Sequence, residues 1–370
     1  MTSLRNALLI KYGELFLKSP SIRRVFIKRL LENIKASLDS KLIPYNILIV
    51  RHDRIIMEAD KKALEHLSKI PGIASIAYAY ETMADYNEIL KCILENLKPT
   101  PESIYIRAKR VTKTFPLKSI ELSQKLSHDV ASKLNVEIRP RDPEVTIYVE
   151  ILGDKAYVYT EKIRGVGGLP VGTAGRAVAL ISGGIDSPVA LWLMLRRGLT
   201  VTPIYMLRSK EELSKVKKII SKLQEYVYPS KLNLKIVEWT DYMLNVQSKL
   251  KAVGKESWIC IFCKRFMLKQ AEKIALSINA NAIITGESIG QVASQTLQNM
   301  RVISKGIKLP ILRPLIGLDK GEIVQLAQKI GTYQISIEHV LKCPFMPRHP
   351  VTRASWGHYE KIAEKAGLQP

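Results

Sequence analysis

The run Ala179-Leu180-Ile181-Ser182-Gly183-Gly184-Ile185-Asp186-Ser187-Pro188 joins an apolar strand to a two-glycine turn and a helix start with proline at a favoured first position. Such a turn suits an anion. Backbone N–H groups at Gly183 and Gly184 can converge on phosphate oxygens, Ser182 and Ser187 add hydroxyl donors, and the helix dipole favours negative charge at that end. Asp186 repels phosphate, so its expected role is to hold Mg²⁺ or to order the loop. The Walker pattern GxxxxGK[ST] is absent, and a GG turn alone is also a common strand-to-helix connection.

A second constellation is Cys260-Ile261-Phe262-Cys263, placed just before a helix expected from Lys264, with Cys343 80 residues further on. Four readings stay open. These are zinc with a fourth ligand such as His349, a redox or persulfide-forming pair, an iron–sulfur cluster on three thiolates, and inert buried thiols. Four cysteines in 370 residues are too few for a disulfide scaffold and fit a reducing compartment. Cys92 reads as a core residue of its helix, and His128 and His339 as packing or surface residues. A third feature is basic: Lys109, Arg110, Lys113 and Lys118 flank Phe115-Pro116 after a strand, as a binder of RNA backbone requires.

The elements that must carry these residues change character along the chain. Residues 6–12, 47–50, 55–59, 73–80, 103–110, 145–151 and 155–163 read as strands, and 21–38, 61–68, 86–97 and 119–134 as helices. Residues 165–172 hold four glycines and a proline, the clearest boundary and a candidate hinge. Beyond it, near-continuous apolar strands (178–181, 201–206, 234–239, 282–285) alternate with helices (from Pro188, 213–226, 264–276), which indicates a parallel sheet covered on both faces. In such a sheet the ligand lies beyond the carboxyl ends of the strands, so Leu180, Ile181, Tyr205 and Met206 are expected against a nucleobase. Gly286 ends a further strand where the lack of a Cβ admits a ligand, and Gln295 offers a side-chain amide.

Composition narrows the partners. The chain is 46% apolar and 25% charged with mean hydropathy 0.00, so neither a mostly disordered nor a mostly membrane-embedded protein is expected. No apolar run reaches the roughly 20 residues of a membrane helix, and the first residues are too short for a signal segment, so a cytoplasmic protein without membrane contact is expected. A net charge of +23, shared by both halves, points to a polyanion such as RNA, the bland alternative being a generally lysine-rich proteome.

SGGIDS directly after a buried strand resembles the PP-loop ATP pyrophosphatase motif, whose enzymes cleave ATP between the α and β phosphates. KYGELFLK (11–18), IRAKRVTKTFPLKS (106–119), YTEKIRGVGGLPVGTAGRAVALISGGIDSPVA (159–190), GESIGQVASQT (286–296) and RPLIGLDKGEI (313–323) extend the likeness to the tRNA 4-thiouridine synthetase (ThiI) family over nearly the whole chain. The resemblance implies an N-terminal ferredoxin-like domain (1–60), a THUMP RNA-binding domain (61–165) and a doubly wound PP-loop domain (173–370). It implies adenylation of uridine O4 at position 8 of tRNA and displacement of AMP by sulfur. It maps ATP onto Leu180, Ile181, Ser182, Gly183, Gly184, Ser187, Tyr205, Met206, Gly286 and Gln295, and onto one or both of Lys264 and Arg265. Asp186 and Cys343 become the catalytic candidates. Cys260, Cys263 and Cys343 become candidate ligands of a 4Fe–4S or 3Fe–4S cluster, as in archaeal-type members without a rhodanese domain, with direct persulfide chemistry at Cys343 the next reading. Lys109, Arg110, Lys113 and Lys118, extended by Lys162 and Arg164, become the tRNA contacts. Sulfide or a cysteine desulfurase would supply sulfur, and a homodimer is an option. The competing functions are sulfur transfer to a thiamine precursor or to another tRNA position, and a non-catalytic tRNA-binding module.

Overall fold

The computed structural model describes residues 5–51, 53–292, 294–338 and 343–369; His339 and Ala293 lie outside them. The chain divides into two compact units with the main change-over after Gly168. That point falls inside the glycine-rich segment, where Gly167 and Gly168 both take positive φ (67° and 78°), a conformation that a Cβ opposes.

The first unit opens with β1 (Arg5–Tyr12), α1 (Pro20–Asp39), β2 (Tyr45–Val50), β3 (Arg54–Ala59), α2 (Ala63–Ser68) and β4 (Ile73–Met83). Antiparallel pairing in the order β2-β3-β1-β4 makes a ferredoxin-like βαββαβ arrangement. The expected first domain, ending at residue 60, is therefore too short. β4 pairs with β1 from Arg5–Glu81 to Tyr12–Ile73, so the arrangement closes only at Met83. A strand that returns to pair non-locally leaves no local mark of that pairing in the sequence.

There follow α3 (Tyr86–Asn96), β5 (Ser103–Arg110), α4 (Ser119–Leu134), β6 (Glu137–Ile138), β7 (Val145–Leu152), β8 (Lys155–Tyr159) and β9 (Lys162–Arg164). The Asp85 carboxylate accepts from the N–H groups of Asn87 and Glu88 to start α3, and Asn135 closes α4 with φ 54°. β8 joins β4, so these strands continue the same sheet. The single strand expected over 155–163 is two: β8 pairs with Tyr80–Met83 of β4, and β9 with Ser75–Ala77. Period-two alternation builds a core on each face. Ala156 and Val158 pack with residues of α3 and α4, while Tyr157 and Tyr159 pack with Ala7, Leu9, Ile56 and Ala79. Glu150, buried on β7, accepts from Lys11 Nζ, from Arg54 Nη1 and, at 2.6 Å, from the Tyr159 hydroxyl. One carboxylate thus ties four strands.

The second unit contains β10 (Arg176–Ile181), α5 (Asp186–Arg196), β11 (Thr200–Leu207), α6 (Lys210–Gln224), β12 (Lys235–Glu238), α7 (Thr240–Ala252), α8 (Ile259–Ser277), β13 (Ile283–Ile284), α9 (Leu297–Ser304), β14 (Ile311–Leu312), α10 (Lys320–Lys329), α11 (Tyr333–Ile337) and α12 (Trp356–Lys365). Its sheet runs β12-β11-β10-β13-β14 with every pairing parallel, as the apolar strand pattern implied. Val178 and Ile204 of the sheet share a core with Met243, Val246 and Leu250 of α7 and with Phe262, Leu268 and Ala271 of α8. α5 begins at Asp186, so Pro188 is its third residue rather than its first; it still lies in the first turn, where a missing N–H forfeits no helical bond. α8 begins at Ile259, so Cys260 and Cys263 lie within its first turns and not before it. No helix among the described residues is long and apolar enough to cross a membrane.

Candidate active site

The chain passes from β10 to β11 and β12 on one side, then returns to β13 and β14 on the other. Loops leaving β10 and β13 therefore part and leave a crevice at their carboxyl ends. A cavity of 290 Å³ occupies it. Leu180, Ile181, Ser182, Gly184, Asp186 and Ser187 form one wall, and Thr285, Gly286 and Glu287 face them. Lys264, Met267 and Leu268 of α8, with Gln295 and Ile303, complete the lining.

The loop after β10 is closed by its own serines. The Ser182 N–H donates to Ser187 Oγ at 2.8 Å, and the two hydroxyls lie 3.1 Å apart. Neither Gly183 nor Gly184 has a positive φ; at Gly183 space is the constraint, since a Cβ would stand 3.1 Å from Lys215 Cδ, whereas at Gly184 it would meet only Ser182 Oγ at 3.6 Å. Gly183 itself is not part of the cavity wall described above. Gly286 is the tighter constraint. It lines the cavity, and a Cβ there would lie 2.9 Å from both N and Cα of Ser187, so it is the first turn of α5 that leaves no room for a side chain at this point of the wall.

Lys264 and Arg265 separate sharply. Lys264 lines the cavity with its Nζ 3.1 Å from Glu287 Oε1. Arg265 is 4% exposed, donates from Nη1 to the carbonyls of Val302 (2.8 Å) and Lys305 (2.9 Å), and lies over the rings of Trp356 and Tyr359. Adjacent positions on a helix face about 100° apart, so the second of the pair is committed to the core and the nucleotide contact expected of it is corrected. Tyr205 and Met206 are likewise buried in the sheet and absent from the cavity wall, against expectation. Gln295 does reach the wall, and its Oε1 is buried with no hydrogen-bond partner. An acceptor left open in this way suits an amino group such as that of adenine.

Several residues that the sequence reading passed over hold the site. Asp186 Oδ1 accepts from Lys320 Nζ at 2.7 Å, and its Oδ2 from Gln291 Nε2 at 3.1 Å. Glu287 Oε2 accepts from Arg313 Nε at 2.8 Å and from the Thr285 hydroxyl at 3.2 Å. Burial opposes the charged form of Glu287, yet Lys264 and then Arg313 hold its carboxyl below the usual carboxylate range. The available signals were the sequence strings GES and LDKGE, which carry a carboxylate and a cation next to the loops but do not say where these point.

Among the thiols, Cys92 is a core residue whose pKa burial pushes up to about 12. Cys263 accepts from the Trp239 indole N–H at 3.3 Å and lies 3.8 Å from Met267 Sδ, whose side chain lines the cavity. Cys260 and Cys343 are half-buried, and Cys260 packs against the same core as Cys263 and Cys343. The donor chemistry suits a soft metal or cluster. Burial, and then the neighbouring Cys260 and Cys343, push the Cys263 thiol up to about 12; among the described residues no group of three or more His, Cys, Asp and Glu side chains is placed to hold a metal ion, and His349 is exposed.

The basic residues form two groups rather than one patch. Lys109, near the end of β5, and Lys113 and Lys118 after it are exposed, while Arg110 folds back to donate to the Phe115 carbonyl at 2.8 Å. Lys162 and Arg164 are exposed on β9, which pairs with β4 and not with β5. Phe115 is 8% exposed inside the α3–α4 core, so the aromatic expected to accompany the lysines is not presented to RNA.

Comparison with known proteins places these features together. Residues 172–368 match the family model described as Thiamine biosynthesis protein (ThiI), residues 7–77 the ThiI ferredoxin-like domain and residues 83–161 the THUMP domain. Proteins named probable tRNA sulfurtransferase are 42% identical in Methanocaldococcus jannaschii (98% of this chain, 97% of that one) and 39% identical in Thermococcus kodakarensis (96% of each). A crystal structure of a 4-thiouridine synthetase–RNA complex with bound ATP superposes with TM-score 0.86 at 32% identity, over 98% of this chain and 95% of that one.

Proposed function

The chain belongs to the ThiI family, and from that premise we propose that it is an ATP-dependent tRNA sulfurtransferase that makes 4-thiouridine at position 8 of tRNA. What supports the reading most is the 290 Å³ cavity between the self-closed serine loop and Lys264, at the switch point of a parallel sheet, in a fold shared with an ATP-bound relative.

In this reaction uridine O4 attacks the α-phosphorus of ATP, the bond to the bridging oxygen breaks, and pyrophosphate leaves. Nucleophilic sulfur then adds to C4, the C4–O bond breaks, and AMP departs. The first step turns an amide-like oxygen, a poor leaving group, into a phosphoester. The loop amides and the N-terminus of α5 hold phosphate oxygens, Gln295 Oε1 accepts from the base, and the Lys264 ammonium faces the departing pyrophosphate. Mg²⁺, if bound, would neutralise phosphate charge, and Asp186, whose oxygens also accept from Lys320 and Gln291, is the loop carboxylate that would hold it. The three thiols are proposed as the sulfur-handling part of the site, with Cys343 as the reacting group. An iron–sulfur cluster, if bound, would be held by Cys260, Cys263 and Cys343 and would supply iron for incoming sulfur.

The exposed lysines at the end of β5 and after it and the cations on β9 are proposed as RNA backbone contacts, and sulfide or a cysteine desulfurase as the sulfur source, in the cytoplasm. Sulfur transfer toward thiamine, which the family description names, is the second reading. Nucleoside analysis of tRNA incubated with the protein, ATP and sulfide tests the choice: 4-thiouridine at position 8 is expected, and unmodified tRNA would refute it.

A further inference from the structure

Glu287 raises an electrostatic problem. A carboxylate in the wall of a triphosphate site repels its ligand, and this one is 8% exposed, so water does little to screen it. Two cations answer it: Lys264 at 3.1 Å on one oxygen, and Arg313 at 2.8 Å on the other. Arg313 is fixed in turn, its Nη2 donating to Ser304 Oγ at 2.8 Å, and the Thr285 hydroxyl fills a remaining lone pair of Glu287. The group carries one net positive charge, and of its charged members Lys264 and Glu287 reach the cavity.

From this geometry we infer that Glu287 is a positioning residue for the adenylation step, holding the Lys264 ammonium toward the pyrophosphate leaving group while Arg313 holds Glu287. The inference rests on the ATP chemistry proposed above. A lysine on its own is a point charge on a flexible stem. Charge on pyrophosphate grows only as the bond to the α-phosphorus breaks, so a cation fixed in advance lowers the barrier more than one that must be drawn in. Glu287 supplies the fixing at the expense of some ground-state attraction for ATP. Its removal should therefore cost turnover and not affinity.

The test is a cycle of Glu287→Gln, Lys264→Met and the double variant, read by tRNA-dependent pyrophosphate release as kcat and KM for ATP, with the thermal midpoint alongside. Glu287→Gln should lower kcat about 10- to 100-fold while KM for ATP stays equal or falls, because two cations then lack their counter-charge. The double variant should be no slower than Lys264→Met alone. An unchanged kcat in Glu287→Gln, or losses that multiply in the double variant, would overturn the inference, the latter by assigning Glu287 a structural role independent of Lys264. Should Glu287→Gln fail to fold, Arg313→Lys gives the same comparison, since it keeps the charge and loses the bond to Ser304. Absence of pyrophosphate release by the unaltered protein would instead count against the ATP chemistry itself.

Discussion

Lys320 Nζ, on the first residue of α10, lies 2.7 Å from the Asp186 carboxylate on the first residue of α5, 134 positions earlier in the chain. The capping box of α10, in which Asp319 and Glu322 satisfy each other's backbone N–H groups, fixes where that lysine starts. The loop carboxylate is thus held from outside the loop.

Replacing Asp186 by Ala should abolish tRNA-dependent pyrophosphate release and leave tRNA binding intact, because the cations at and after the end of β5 and on β9 belong to the other unit. Filter binding beside the release assay separates the two effects. Lys320→Met should reduce release at least tenfold while shifting stability by only about 0–1 kcal/mol, the usual value of a partly exposed ion pair.

Arg265 and Lys264 should behave as opposites. Arg265→Ala orphans two carbonyls and removes a guanidinium packed on two rings, at a cost of about 3 kcal/mol in denaturant unfolding. Lys264→Met should leave the unfolding midpoint nearly unchanged and slow adenylation. Equal stability losses in the two variants would contradict the division of roles.

Gly286→Ala brings a Cβ to 2.9 Å from Ser187 backbone that cannot yield without moving the phosphate loop. A loss of about 1–3 kcal/mol is expected, together with weaker ATP binding by calorimetry. Normal ATP affinity would show that the loop tolerates the shift.

Much of this frame could be read from the sequence. Residues 103–110 and 119–134 have the same limits in sequence and structure because their apolar spacing is regular and their caps are local: Glu121 accepts from the Lys118 N–H, and Asn135 takes the left-handed turn. β13 (Ile283–Ile284) falls inside the strand expected over 282–285, but β14, of two residues, is too short for any period to show, and the sequence pattern does not announce α7, α9, α10, α11 or α12. The phosphate loop was legible because one local run of residues makes it. Lys320, Gln291 and Arg313 were not, since their roles arise from contacts across the fold.

Acid should weaken the first unit through Glu150. Burial would raise its pKa, but Lys11, then Tyr159 and Arg54, overcome burial and bring it from 4.5 to about 2. A folded pKa below the unfolded value gives stability that is complete above about 4.5 and is lost as pH falls toward 2, at most about 3 kcal/mol. Glu150→Gln should flatten that part of the stability–pH curve. A curve of unchanged slope between pH 4.5 and 2 would remove Glu150 as its cause.

The bond of ATP that the protein cuts is the most direct readout of its chemistry. Incubating the purified protein with α-labelled ATP and a tRNA transcript, without a sulfur source, should yield pyrophosphate and an AMP–RNA adduct, both missing with Asp186→Ala. Formation of ADP and phosphate, or of no labelled RNA, would contradict it.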